Sequence, residues 1–199
     1  MTSFQGIIHA SRARIVHIEE LPGGVTIIND THTYTFPGAY LLPGLVDSHA
    51  HILGLGMKMT GLALYDCESA EEVRERCVRY TMRRGDWLYA MGWNHELWSV
   101  PVVPDRHFLD EVFPDTPVYL RRADGHSAWV NSVALRNAGI TDSTPNPDGG
   151  AILRDENGQA TGILLDNAML LIENIIPPLT PEQSEHCITT ALQSCAAQG

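Results

Sequence analysis

Apolar residues open this chain in short runs rather than in helical stripes. Gly6–Ile8, Arg14–Ile18, Val25–Ile28 and Tyr34–Phe36 read as strands, separated by turn residues such as Pro22-Gly23-Gly24 and Asn29-Asp30. A small meander of this kind is marginal alone, so these strands need a partner sheet. Pro37-Gly38 closes the block. A turn at Tyr40 then feeds an apolar strand, Leu41-Leu42-Pro43-Gly44-Leu45-Val46, which ends in the polar run Asp47-Ser48-His49-Ala50-His51.

Beyond His51 the period changes. Ser69-Ala70-Glu71-Glu72 fits a capping box; Val73, Cys77 and Tyr80 fall at helical spacing, and Gly85 is the expected stop. Trp87–Met91 and Pro117–Leu120 predict buried strands, the second running into Arg121-Arg122-Ala123-Asp124-Gly125-His126. Asn131–Asn137 predicts a short helix ended by Gly139, and Thr141–Gly150 a loop. Ala151–Arg154 and Ala160–Leu165 predict a hairpin about Asp155-Glu156-Asn157-Gly158. Thr180-Pro181-Glu182-Gln183 starts a last helix with a cap, a proline at the first position and an acid in the first turn. Its apolar face is expected at Ile188, Ala191, Leu192 and Cys195.

Composition narrows the class. The 199 residues are 44% hydrophobic and 19% charged, as in a soluble globular protein with a real core. A net charge of −11 argues against a nucleic-acid partner, which would need clustered Lys and Arg. No apolar run approaches the ~20 residues of a membrane span. Met1–Ala10 lacks a charged segment followed by an apolar one, so no secretory leader is expected and a cytoplasmic location is. Cys67, Cys77, Cys187 and Cys195 show no CxxC spacing and read as reduced, mostly buried thiols.

The candidate chemistry starts at His49 and His51. On a strand, side chains alternate, so these two imidazoles and the Asp47 carboxylate would project to one side. Two imidazoles on one face can take two positions on a single metal ion, and histidine is the commonest catalytic-zinc ligand. Two histidines at a strand end with no metal is the competing reading. Trp93, Asn94, His95 and Trp98 combine aromatic and polar groups as ligand pockets do, although buried core aromatics read equally well at Trp93 and Trp98. Arg121 and Arg122 read either as a carboxylate clamp or as a solvated pair. His126, in a polar turn after a strand, is either a substrate contact or a structural histidine. His9, His17, His32, His107 and His186 read as structural or surface residues.

These segments together resemble a known family. "LLPGLVDSHAHI" is similar to the first barrel strand of the amidohydrolase superfamily. "GWNHELW" (Gly92–Trp98), "RRADGHSAWVNSVAL" (Arg121–Leu135), "NPDGGAILRDENGQATGILLDNA" (Asn146–Ala168) and "PLTPEQ" (Pro178–Gln183) resemble its YtcJ-like, amidohydrolase-3 branch, which includes N-substituted formamide deformylases. The resemblance implies an α/β protein: a (β/α)8 TIM barrel with a small composite β-sandwich. Residues 1–42 would be the N-terminal half of the sandwich and 43–199 the start of the barrel, with an insertion after barrel strand 1 over about 56–162. A barrel of this type takes ~250 residues, so it is not expected to close within this chain.

The resemblance further implies a hydrolase of non-peptide carbon–nitrogen bonds, N-acyl or N-formyl amides, acting on a small-molecule substrate. One or two divalent ions, Zn2+ by preference, would activate a water. His49 and His51 would bind the metal and Asp47 would orient a ligand behind them. Asp166 stands where this branch commonly shows Glu, so it reads as a further ligand or as a helix N-cap. Trp93, Asn94 and His126 would line the substrate cavity. The general base and remaining ligands are expected beyond Gly199, so the chain alone is expected to be inactive. A deaminase or cyclic-amide hydrolase of the same superfamily is the first alternative, and a non-catalytic metal-binding or assembly fragment the second. Homo-oligomerisation of a full-length protein stays open.

Overall fold

The computed structural model describes residues 6–12, 14–20, 24–37, 44 and 46–198, in two compact units divided between Ala50 and His51. The first unit is a four-stranded sheet of β1 (Gly6–Ser11), β2 (Arg14–Glu20), β3 (Gly24–Ile28) and β4 (Thr33–Pro37), in the order β2-β1-β3-β4. β1 pairs antiparallel with β2 and parallel with β3, and β3 pairs antiparallel with β4. All four strands fall where the apolar runs place them. Ile8 and Val25 are buried, whereas Ile15, Val16, Ile18, Tyr34 and Phe36 remain exposed. The apolar surface outside the small core is what a sheet in need of a second layer presents.

The second unit is built on a six-stranded mixed sheet, β5 (Leu62–Ala63), β6 (Leu88–Trp93), β7 (Val118–Arg122), β8 (Ser127–Val130), β9 (Gly150–Arg154) and β10 (Ala160–Asp166), in the order β5-β6-β7-β8-β10-β9. β5, β6 and β7 run parallel; the β7–β8, β8–β10 and β10–β9 pairs are antiparallel. Both faces are covered, which is why Val118–Leu120 reads as a continuous apolar run rather than an alternation. Val118 and Leu120 enter one core with Trp93, Trp129, Val73 and Cys77 of α2 (Ala70–Arg79), and Leu109 of α3 (Arg106–Asp110). Tyr119 enters the opposite core with Val130, Leu164, Ala134 of α4 (Ser132–Asn137), and Ile172 of α5 (Leu170–Glu173).

One buried side chain ties these layers together. Asn131 is fully buried. Its Oδ1 accepts from the amides of Val118 and Ala134, both at 3.0 Å, so it starts β7 and caps α4. Its Nδ2 donates to the carbonyls of Phe113 and Thr116, both at 2.9 Å. All four hydrogen-bonding positions of the carboxamide are used.

The remaining helices are α1 (Ile52–Thr60) and α6 (Pro181–Ala197), which pack on each other. A Cβ at Gly56 would lie 2.1 Å from the Cys187 carbonyl oxygen, so only glycine permits this approach. Two glycines disfavour a helix by propensity, and α1 escapes the periodicity for that reason. The close approach also sets the buried face of α6 at Cys187 and Ala191; Ile188 and Leu192, expected inside, are 38% and 51% exposed. Thr180 forms the full reciprocal capping box with Gln183. At α2 the box is half-formed: Ser69 accepts from the Glu72 amide, but the Glu72 carboxylate turns back to the amide of Glu68. That helix ends at Tyr80, ahead of Gly85.

The strand expected to lead into His49 and His51 is not found in its described part. Residues 40–43 and 45 lie outside the described residues; Val46 to His51 join no sheet. The Asp47 carboxylate instead takes the His49 amide at 2.9 Å, a local closure that competes with a sheet ladder. The two compact units divide after Ala50, and β10 spans residue 162 with a register shift against β9 between Ala160 and Leu164. No helix among the described residues is long and apolar enough to cross a membrane.

Two outcomes follow from this packing. Asn131→Ala strands two amides and two carbonyls in the core and is expected to cost about 3 kcal/mol or more, read as a shifted urea midpoint with unchanged slope. Asn131→Asp keeps the two accepted bonds but sets a buried carboxylate oxygen against the Phe113 and Thr116 carbonyls, and is expected to cost at least as much as alanine. The cysteines give the second outcome. All four are free, three buried and Cys195 exposed; burial pushes the Cys67 and Cys77 thiols up to about 11 and about 12. Iodoacetamide at pH 8 should therefore alkylate Cys195 first by mass spectrometry, and the other three only once urea opens the fold.

Candidate functional site

The strand directions bring one set of residues to one edge of the large sheet. β6 and β7 run parallel and end there, β8 starts there, and β10 ends there against β8. That edge therefore collects Asn94 after β6, Arg121 and Arg122 at the end of β7, the turn to His126, and Asp166 at the end of β10. The Ala123 amide donates to the Trp93 carbonyl at 3.0 Å, locking the β6 and β7 ends together.

Arg122 is the strut of this edge. Its guanidinium meets Glu96 at 3.0 Å, Asp124 at 3.0 Å and Asn94 Oδ1 at 3.1 Å. Asn94 Oδ1 also accepts from the Glu96 amide and caps the short turn His95–Leu97. A guanidinium held by two acids and an amide is neither the open carboxylate clamp nor the solvated pair that the sequence left as alternatives. Glu96 and Asp124 were missed by sequence reasoning; the signal available was an acid two residues after Asn94 and two after Arg122. Arg121 donates to the Gly125 carbonyl at 3.1 Å and braces the same turn. His95, beside Arg122, has its pKa lowered by burial and then by the neighbouring positive charge.

His126 and Asp166 form a pair. His126 Nδ1 lies 3.0 Å from Asp166 Oδ1, and the Asp166 amide donates to the His126 carbonyl at 2.9 Å. The Asp124 carboxylate accepts from the His126 amide, fixing the turn from the other side. Both side chains are open to solvent, 78% and 56% exposed. Asp166 occupies the N-cap position of the short turn Asn167–Met169 but makes no capping hydrogen bond; its carboxylate contacts His126. It also holds a rare backbone, φ 47° and ψ −121°. Such conformations cost about 1–3 kcal/mol in a residue with a Cβ and persist only where the surroundings impose them.

The other expected site residues are placed differently. Trp93 is 1% exposed and its indole donates to the Leu120 carbonyl at 2.7 Å. It is a core residue behind Asn94 with no surface to offer a ligand, a correction to its expected substrate contact. Asp47 and His49 belong to the first unit and His51, at the N-cap of α1, to the second. The Asp47 carboxylate accepts from the His49 backbone amide. Among the described residues, no group of three or more His, Cys, Asp and Glu side chains is gathered as a metal centre.

The chain belongs to the amidohydrolase family, whose model matches residues 37–199. This span takes in the His49/His51 segment and every residue of the sheet edge. The Bacillus subtilis (strain 168) amidohydrolase YtcJ is 39% identical over 172 residues, 85% of this chain and 32% of that protein. The N-substituted formamide deformylase of Arthrobacter pascens is 31% identical over 150 residues, 73% of this chain and 28% of its own length. The Arabidopsis thaliana protein LONG AFTER FAR-RED 3 is 32% identical over 81% of this chain and 28% of its length. The chain thus spans about a third of the length of these relatives. The fold is shared with uncharacterized metal-dependent hydrolases from Pyrococcus furiosus (TM-score 0.62, 21% identity, 99% of this chain and 42% of that one) and Pyrococcus horikoshii OT3 (0.63, 20%, 99% and 41%).

The strain at Asp166 is directly testable. Both Asp166→Gly and Asp166→Ala lose the exposed His126 contact, but glycine also removes the backbone penalty and alanine keeps it. Urea denaturation is expected to separate the two variants by about 1–2 kcal/mol in favour of glycine.

Proposed function

We propose that the protein acts as a metal-dependent hydrolase of small non-peptide amides, N-acyl or N-formyl, with His49 and His51 supplying two ligands of a divalent metal, Zn2+ by preference. The observation that carries this reading is the family match across residues 37–199, which includes both histidines, with a formamide deformylase among the relatives at 31% identity. Imidazole is the right donor for zinc, but two imidazoles fall short of the three protein ligands of a catalytic site, and the described residues gather no larger group. Bound, such a metal polarises a carbonyl and lowers the pKa of water.

This chain's own residues have the following parts. Asp47 fixes the His49 backbone through its 2.9 Å bond and so orients that ligand. Asp166 is a further candidate ligand, presented by the strained end of β10 and held through Oδ1 by His126. With Nδ1 on Asp166, His126 offers Nε2 to the substrate amide. Asn94, its Oδ1 held by Arg122, offers its amide group. The general base and remaining ligands come from outside these 199 residues, in a closed (β/α)8 barrel. The exposed apolar side chains of the first sheet support its burial under a second layer of a composite sandwich.

The test is to extend the protein to the length of its relatives and assay it with zinc against N-formyl and N-acyl amines. His49→Ala and His51→Ala should each lower kcat/KM by more than the 10–100-fold typical of losing a residue behind the ligands, with loss of bound zinc. His126→Ala should act mainly on KM. Turnover indifferent to both ligand substitutions would contradict the assignment.

A further inference from the structure

A cavity of about 90 Å³ lies between α1, the start of α6, β5, β6 and the segment that follows α2. None of the residues proposed for the hydrolase site lines it. Its body is apolar, formed by Met57, Leu62, Met82, Met91 and Leu179. Three of these are methionines, whose unbranched thioethers adapt to the shape of a guest. The space is smaller than the ~150 Å³ that admits benzene, so it suits a slender chain of about six carbons rather than a ring.

Charge gives the other end of the guest. Arg83 and Arg84 line the cavity, and no Asp or Glu does, in a chain whose net charge is −11. Both arginines are half-buried. The arginine ion pairs among the described residues are made by Arg74, Arg76, Arg79 and Arg122, so these two guanidinium groups face no carboxylate. They are nevertheless held in place. Arg83 Nη1 donates to the carbonyls of Tyr80 and Met82. Arg84 Nε donates to the Pro177 carbonyl at 2.6 Å, and its guanidinium lies 5.2 Å from the centre of the Tyr89 ring. Arg83 Nη2 and both Arg84 Nη atoms make no bond among the described residues, and none of them is sealed from solvent. Anchored, half-desolvated and reachable donors of this kind bind a carboxylate strongly.

We infer that this cavity binds a short straight-chain aliphatic monocarboxylate. The alkyl chain packs on Met57, Leu62, Met91 and Leu179, and the carboxylate takes the free N–H groups of Arg83 and Arg84. The binding needs no metal and is independent of His49, His51, His126 and Asp166.

The test is a ¹H–¹³C titration of the 199-residue chain, labelled in its methionine methyl groups, with hexanoate, hexanamide and acetate in parallel. Single Met→Leu substitutions assign the resonances. Hexanoate is expected to shift Met57, Met82 and Met91 saturably at millimolar concentration or below, and to leave Met59 and Met169, which do not line the cavity, in place. Hexanamide keeps the chain without the charge, and acetate keeps the charge without the chain. Each should bind at least about tenfold more weakly. By calorimetry, Arg83→Gln and Arg84→Gln should each weaken hexanoate about tenfold and leave hexanamide unchanged. The ligand comparison is made on the parent chain, so it stands if either variant fails to fold. Hexanamide or acetate binding as tightly as hexanoate would overturn the site. So would equal shifts at Met59 and Met169, or no saturation by about 10 mM hexanoate.

Discussion

The carboxamide of Asn131 holds the second unit in register. Its four bonds reach the start of β7, the first turn of α4 and two carbonyls in the segment leading into β7. No other residue type supplies two acceptor positions and two donors in one plane at this size. By fixing where β7 begins and β8 ends, Asn131 sets the pairing of Tyr119 with Val130 and Leu120 with Trp129. β10 then follows on β8, opposing Ile163 to Trp129 and Leu165 to Ser127. A shift of one residue would reverse every side chain between the two cores.

The far end of the same hairpin carries the candidate chemistry. There polar groups replace apolar packing: Arg122 is shared by Glu96, Asp124 and Asn94, and Asp124 also fixes the His126 backbone. The strain at Asp166 is sustained because both its amide and its carboxylate are held by His126. The bend begins earlier. The β9–β10 register shifts between Ala160 and Leu164, where Gly162 takes φ 93° and a Cβ would meet the Val130 carbonyl at 2.4 Å. One end of the sheet thus presents exposed His126 and Asp166 beside the half-buried Arg122 and its partners Glu96, Asp124 and Asn94.

Much of this was legible where local rules suffice. The four N-terminal strands, the Asn131 and Thr180 helix starts, and the hairpin about Asp155-Glu156-Asn157-Gly158 all follow from turn chemistry, capping and period. What escaped depends on distant partners. α1 contains two glycines that propensity penalises, and the approach of α6 requires one of them, Gly56. β8 has four residues, all buried, too short for any period to show. Trp93 could be read as core or pocket until the Leu120 carbonyl was known to take its indole N–H. The His126–Asp166 pair joins residues forty positions apart. The family was legible because its motifs are contiguous, whereas a metal centre assembled from several strands is not contained in any one of them.

His49 and His51 are proposed as two ligands of a metal centre that the described residues do not complete. The direct measurement is zinc content by atomic emission after the purified 199-residue chain is loaded with Zn2+ and dialysed extensively. With two imidazole ligands, and with Asp166 held by His126 rather than gathered with them, the chain should retain less than about a tenth of an equivalent, because a stable catalytic site needs three protein ligands. One full equivalent retained by the parent and lost in His49→Ala would contradict the claim, placing the missing ligand within these 199 residues.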